Sequence, residues 1–90
     1  MRLPAAATLE QAGDLLRLLD ESLAQAEGAA LRIDAGALRE FDTSTLALLL
    51  EAQRRVKVQG GSLVVAGAPP KLVELASLYG VDQLLSLEPA

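Results

Sequence analysis

The chain has 90 residues, eight of them basic and twelve acidic, and its net charge is −4. This length suits one small domain, and the acidic balance argues against binding to nucleic acid or to an anionic membrane. The sequence contains no Cys and no His, which removes disulfides, thiol nucleophiles, the commonest general base and the commonest metal ligand. We therefore expect neither an enzyme nor a metal or other cofactor.

No apolar run in the sequence approaches the roughly 20 residues that a membrane-spanning helix needs. The first residues, Met1 to Pro4, do not resemble a signal peptide. These features predict a cytoplasmic protein without direct membrane insertion.

The chain opens with a short arm that leads into an amphipathic helix. Residues 1–7 are long enough for one edge strand or an extended arm, since Pro4 is tolerated only at a sheet edge. Thr8 and Gln11 fit a capping box. Leu9 and the leucines and alanines after it recur at steps of three and four, which predicts an amphipathic helix over 9–27 that turns these residues towards the sheet and ends at Gly28.

Strands and helices alternate through the rest of the chain. The apolar patterns predict a strand at 30–34, a helix at 44–58 and a second strand at 62–66. Together these three form a βαβ unit, whose crossover should be right-handed. A third helix is predicted at 70–79, with Tyr79 on its inward side as a partly buried residue at the helix end, and the tail has room for one edge strand. This alternation indicates an α/β fold.

The most informative stretch is Asp42-Thr43-Ser44, between the first strand of this unit and a leucine-rich helix. Its oxygens suit the free amides of a first helical turn, so all three residues can be caps. The stretch also follows a strand's carboxyl end, where function is usual in such folds. A phosphate on Thr43 would be favoured by the helix N-terminus and opposed by Asp42 and Glu40. The cap and functional interpretations are compatible.

This stretch, with Thr45 and Leu46 after it, resembles the Asp-Ser/Thr-x-Gly-Leu signature of STAS domains. The order of elements around it matches as well, and the resemblance covers about residues 8 to 87. It implies one STAS domain over residues 1–90, in the α/β class. The implied architecture is a small mixed β-sheet with helices packed mainly on one face and a shortened N-terminal hairpin.

Within the family, the leucine run and the Leu-Tyr ending of the third helix are most similar to MlaB-type subunits of phospholipid-transport ABC systems. That similarity implies a non-catalytic subunit that binds the ABC ATPase through residues 38–46. The alternative is an anti-sigma factor antagonist whose Thr43 is phosphorylated by a partner kinase. Under either alternative the resemblance points to Thr43, and the other predicted contact residues are Asp42, Ser44, Thr45, Glu40 and Arg39.

The sequence departs from the family pattern in two places. Thr45 stands where the signature has glycine, which would change the fit of a closely approaching partner. Only seven residues precede Thr8, enough for one strand, so either the first strand of the usual hairpin is missing or the protein starts upstream. A missing strand would leave an exposed sheet edge on which a second copy of the chain could pair.

Overall fold

The computed structural model describes residues 1–26 and 30–89, which form parallel strands covered by three helices. The strands are β1 (Ala6–Ala7), β2 (Leu31–Asp34), β3 (Glu40–Phe41), β4 (Leu63–Ala68) and β5 (Leu87–Pro89), and the helices are α1 (Ala12–Ala26), α2 (Thr43–Val58) and α3 (Pro70–Leu78). The predicted α2 and α3 agree with these bounds to within one residue. The predicted end of the first helix at Gly28 lies outside the described residues.

The strands form two small sheets of parallel pairs. In the three-stranded sheet β4 lies between β2 and β5, and in the two-stranded sheet β1 pairs with β3. The N-terminal segment runs along β2 as the predicted edge strand, since the Leu3 amide donates to the Asp34 carbonyl at 2.8 Å. The expected mixed sheet is therefore corrected: every strand pair among the described residues is parallel, because this segment pairs as a single strand instead of a hairpin.

The helices lie on one face of the sheet, as expected. β2, β4 and β5 follow the chain order and run in the same direction, so right-handed crossovers place α2 and α3 on the same side. β2 accordingly alternates between buried and exposed residues. The opposite face carries two exposed ion pairs, Arg2–Asp34 at 3.5 Å and Arg32–Glu88 at 3.6 Å. These charged side chains keep the helix-free face of the sheet exposed to solvent.

The core between the sheet and the helices is aliphatic. Residues spaced by three and four turn one side of each long helix inward, namely Leu15, Leu19 and Leu23 of α1 and Leu49, Ala52 and Val56 of α2. Burying a leucine side chain contributes roughly 2 kcal/mol. Packing therefore fixes how α2 lies on the sheet, and with it the position of the Asp42-Thr43-Ser44 stretch.

β4 is longer than the predicted strand at 62–66, because Gly67 and Ala68 continue it. Ala68 pairs with Pro89 of β5 across an irregular register. Gly67 has a φ of +68°, a conformation that glycine adopts without strain. The predicted strand stops before Gly67, because a glycine in an irregular strand and a glycine in a turn give the same sequence signal.

Replacing Gly67 by alanine should lower the free energy of unfolding by about 2 kcal/mol. The added Cβ would lie 3.2 Å from the Cα of Gly36, in addition to the strain of a positive φ. Gly80→Ala is the matched control, because Gly80 has a φ of +72° but no described atom within 4 Å of the added carbon. We expect about half the loss for the control. Equal losses in denaturant titrations would mean that the contact with Gly36 costs nothing.

Candidate functional site

The start of α2 is held by Asp42. Its Oδ1 accepts a hydrogen bond from the Ser44 amide at 2.9 Å, while the Asp42 amide donates to Thr45 Oγ1 at 3.2 Å. The second carboxylate oxygen, Oδ2, accepts from the Leu9 amide at 3.4 Å. Asp42 thus caps α2 and also links it to the turn that precedes α1, so the predicted capping role is confirmed.

Thr45 lies inside the protein, with none of its surface exposed. Its hydroxyl donates to the Ala7 carbonyl at 2.6 Å and accepts from the Asp42 amide. Thr45 was predicted among the partner-contacting residues, and that role is corrected because a fully buried side chain cannot touch a partner. At the position of the family's glycine, Thr45 instead joins the start of α2 to β1 through its hydrogen bond with Ala7.

Thr43 is exposed in the first turn of α2, and Ala47 is exposed one turn later. Ser44 beside it is half-buried. Arg39 and Glu40 are also exposed, and both of their amides donate to the Ala5 carbonyl, at 2.7 and 2.8 Å. Of the predicted site residues, Arg39, Glu40 and Thr43 are therefore exposed, Asp42 and Ser44 are half-buried, and Thr45 is buried.

Two apolar grooves flank the exposed ridge of α2 formed by Thr43 and Ala47. The first groove, of about 270 Å³, runs between α1 and α2, and is lined by Leu9, Ala12, Leu16, Ser44, Ala47, Leu48 and Glu51. The second groove, of about 230 Å³, lies beside the end of α3, and is lined by Thr43, Leu46, Ala47, Leu50, Tyr79 and Val81. We call the ridge and both grooves together the docking face.

Sequence reasoning missed the outer borders of the docking face. Leu9 and Tyr79 were both predicted to face the interior, yet they are 73% and 58% exposed. Leu9 departs from the helical pattern because residues 9–11 form a 3-10 turn, whose period differs from that of the α-helix. Tyr79 follows the last residue of α3, where its ring can reach solvent.

The far end of α2 carries an ion-pair cluster. Glu51 accepts hydrogen bonds from Arg54 Nε at 3.1 Å and from Arg55 Nε at 2.8 Å, and Arg55 also pairs with Asp20 of α1. The bonds from Arg54 and then Arg55 lower the pKa of Glu51 from 4.5 to about 2. These cations lie in the last turns of the helix, where they complement its dipole.

We expect Glu51→Gln to lower the melting temperature near neutral pH. Because the pKa of Glu51 is depressed on folding, the charged carboxylate stabilises the protein above pH 4.5, and this contribution disappears as the pH falls towards about 2. The variant should therefore lose less stability than the wild type over that interval. Thermal unfolding at several pH values measures this, with Glu74→Gln as an exposed control. This expectation would be contradicted if the melting temperatures of Glu51→Gln and wild type changed in parallel with pH.

The described part of the chain holds no cluster of three or more Asp or Glu side chains that could bind a metal ion. Within residues 1–26 and 30–89, none of the helices combines the length and the apolar character needed to cross a membrane. The accessible features of the site are thus a helix N-terminus, hydroxyl groups and two apolar grooves.

The chain matches the model of a known protein family. A family model described as "Mlab, STAS domain" matches residues 1–87. The chain belongs to the STAS domain family. Its signature stretch is the Asp42-capped start of α2, in the position that the resemblance implied. A comparison with curated protein sequences gave no significant match.

Solved structures support the same fold. An anti-sigma-factor antagonist (STAS) domain protein from Planctomyces limnophilus superposes with a TM-score of 0.84 at 17% identity, covering 99% of this chain and 80% of that one. A protein from Thermotoga maritima, described as a candidate anti-sigma factor antagonist, gives a TM-score of 0.77 at 16% identity, covering 98% and 76%. At such identities the likeness shows the fold alone, and it confirms the α/β STAS architecture.

Proposed function

We propose that this chain is a non-catalytic accessory subunit of an Mla-type ABC transporter, which moves phospholipids and maintains outer-membrane lipid asymmetry. The subunit binds and regulates the cytoplasmic ATPase subunit through the loop and helix start at residues 38–46. It is cytoplasmic, and it is held at the inner membrane only through its complex. Other subunits handle the lipid, which suits an acidic chain.

The observation that carries this proposal is the match over residues 1–87 to a family model whose description names MlaB. The docking face supports it, because an exposed helix start between two apolar grooves is typical of a protein-binding surface. STAS domains are protein–protein interaction modules, and the site offers no His or Cys for catalysis.

The proposal is tested by co-expressing the chain with the ABC ATPase subunit encoded in its own genome. We expect the two proteins to co-elute in size-exclusion chromatography, and we expect ATP hydrolysis by the transporter complex to fall when the chain is left out. An ATPase that elutes alone, with unchanged hydrolysis in the assembled complex, would contradict the proposal. The STAS subunit of an unrelated system serves as the negative control.

The second candidate function is an anti-sigma factor antagonist that a serine/threonine kinase switches at Thr43. The accessible position of Thr43 favours it, since a kinase needs an exposed hydroxyl. A phosphate there would place nearly two negative charges on the ridge of the docking face. The test is intact mass after incubation with the kinases of the same genome. A mass increase of one phosphate that is absent in Thr43→Val supports this function, and an unchanged mass contradicts it.

A further inference from the structure

The docking face joins two grooves across a ridge of small side chains. Ala47 lines both grooves, so its methyl group lies on the ridge between them, one turn after Thr43. Exposed apolar side chains stand at the two outer borders, Leu9 at the first groove and Tyr79 at the second. A low ridge between two grooves lets a partner approach closely and insert apolar side chains on both sides.

The partner element that fits this surface is a helix. The docking face is formed by α1, α2 and the end of α3, whose backbone groups are satisfied within the helices except at their ends. None of the residues that line the two grooves belongs to a strand, so an added strand would find no edge to pair with inside them. Helices pack against one another by setting the ridges of one into the grooves of the other, and these two grooves accept an apolar stripe of that kind.

The charges around the docking face define the flanks of that partner helix. Five of the described acidic residues form local ion pairs: Arg2–Asp34, Asp14–Arg17, Asp20–Arg55, Arg32–Glu88 and Glu51 with Arg54 and Arg55. The described Glu21 and Glu74 form none, and both lie outside the docking face. None of the ion pairs among the described residues involves Glu10, Asp42 or Asp82. Each of these three directly adjoins a groove-lining residue in the chain, and Glu40 lies in β3, two residues before Asp42. Arg39 is the neighbouring cation.

We propose that the docking face binds an amphipathic helix that carries a stripe of leucine-like side chains flanked by Lys or Arg. Its apolar stripe fills both grooves, and its cations lie near Glu10, Asp42 and Asp82. A second copy of this chain fits less well, because it would bring the same carboxylates together. The proposal deepens the proposed function, on which it rests for the identity of the protein that supplies the helix.

A binding assay tests this helix directly, because Tyr79 is the single tyrosine of a chain without Trp. Its fluorescence therefore reports on the second groove alone. The probe is a synthetic helical peptide of about 18 residues with a leucine stripe and lysine flanks, free of Tyr and Trp. A matched peptide carries glutamate in place of lysine. We expect the lysine peptide to protect Tyr79 from acrylamide quenching, and its affinity to fall as salt is raised.

Matched variants separate the docking face from the rest of the surface. Leu9→Gln should weaken binding of the lysine peptide by about tenfold, while Val58→Gln, at a 77% exposed residue near the other end of α2, should not change it. The pair Glu10→Lys and Asp82→Lys should weaken it by a similar factor. Glu21→Lys with Glu74→Lys adds the same charge at exposed positions outside the docking face, and should leave most of the affinity.

Three outcomes would overturn the inference. These are no protection of Tyr79 by the lysine peptide, equal binding of the glutamate peptide, and protection of Tyr79 by self-association at rising protein concentration without peptide. The purified ATPase subunit separates this inference from the proposed function. Co-elution that is unaffected by Leu9→Gln together with Tyr79→Ala overturns the docking face alone. Peptide binding without co-elution supports the docking face, and contradicts the ATPase as the partner.

Discussion

Replacing Thr45 by valine should lower the free energy of unfolding by about 3 kcal/mol, although valine has nearly the same shape. The hydroxyl of Thr45 is the partner of two backbone groups, the buried Ala7 carbonyl at 2.6 Å and the partly buried Asp42 amide at 3.2 Å. Valine would leave both without that partner, and each such loss costs roughly 1–3 kcal/mol. In a domain of this size the melting temperature should fall by on the order of 15 °C.

The same substitution at Thr43 is the control for Thr45→Val. Thr43 is exposed, and its replacement by valine should change stability by less than about 0.5 kcal/mol. Thr45→Ser keeps the hydroxyl and should retain most of the stability that valine loses. Denaturant titrations of the three variants measure the free energy of unfolding that each one loses. Similar losses at positions 43 and 45 would mean that the bond to Ala7 does not hold the start of α2.

Local signals in the sequence were sufficient for the helices and for the cap at Asp42. A helix start depends on residues close in the chain, so the order of an acid, hydroxyls and leucines predicts α2 to within one residue. The pairing of β1 with β3 escaped prediction, because each strand has only two residues and their register is set by contacts distant in sequence. The same contacts draw Thr45 inward to the Ala7 carbonyl, 38 residues away.

The docking face was predictable only at its centre. Thr43 and Ser44 could be placed at the start of a helix from the chain alone, whereas the grooves depend on how α1 and the end of α3 lie beside it. Helical periodicity put Leu9 and Tyr79 inside, since it assumes that the α-helix extends to both residues. A 3-10 turn at one and the helix end at the other bring these side chains to the surface.

Thr43→Glu should weaken the proposed complex with an ABC ATPase subunit by about 30-fold or more, which corresponds to a loss of about 2 kcal/mol. Thr43 stands on the ridge and lines the second groove, so a partner seated there would remove the new carboxylate from water. This position differs from that of Glu10 or Asp82, whose charges are exposed and can stay hydrated beside a basic partner. The introduced charge also imitates part of the effect of a phosphate on Thr43.

The folded state should tolerate Thr43→Glu, which is why its effect can be assigned to binding. Residue 43 opens α2, and a negative charge in the first turn is favourable to the helix dipole, so the melting temperature should stay within a few degrees of wild type. Val58→Glu introduces the same charge about 22 Å along the helix, and should leave the complex intact. Titration of the ATPase subunit with Thr43→Glu and with Val58→Glu measures the affinity of each variant. Equal affinities for the two variants and the wild type would place the contact away from the start of α2, because no partner that covers Thr43 could accept a carboxylate there without cost.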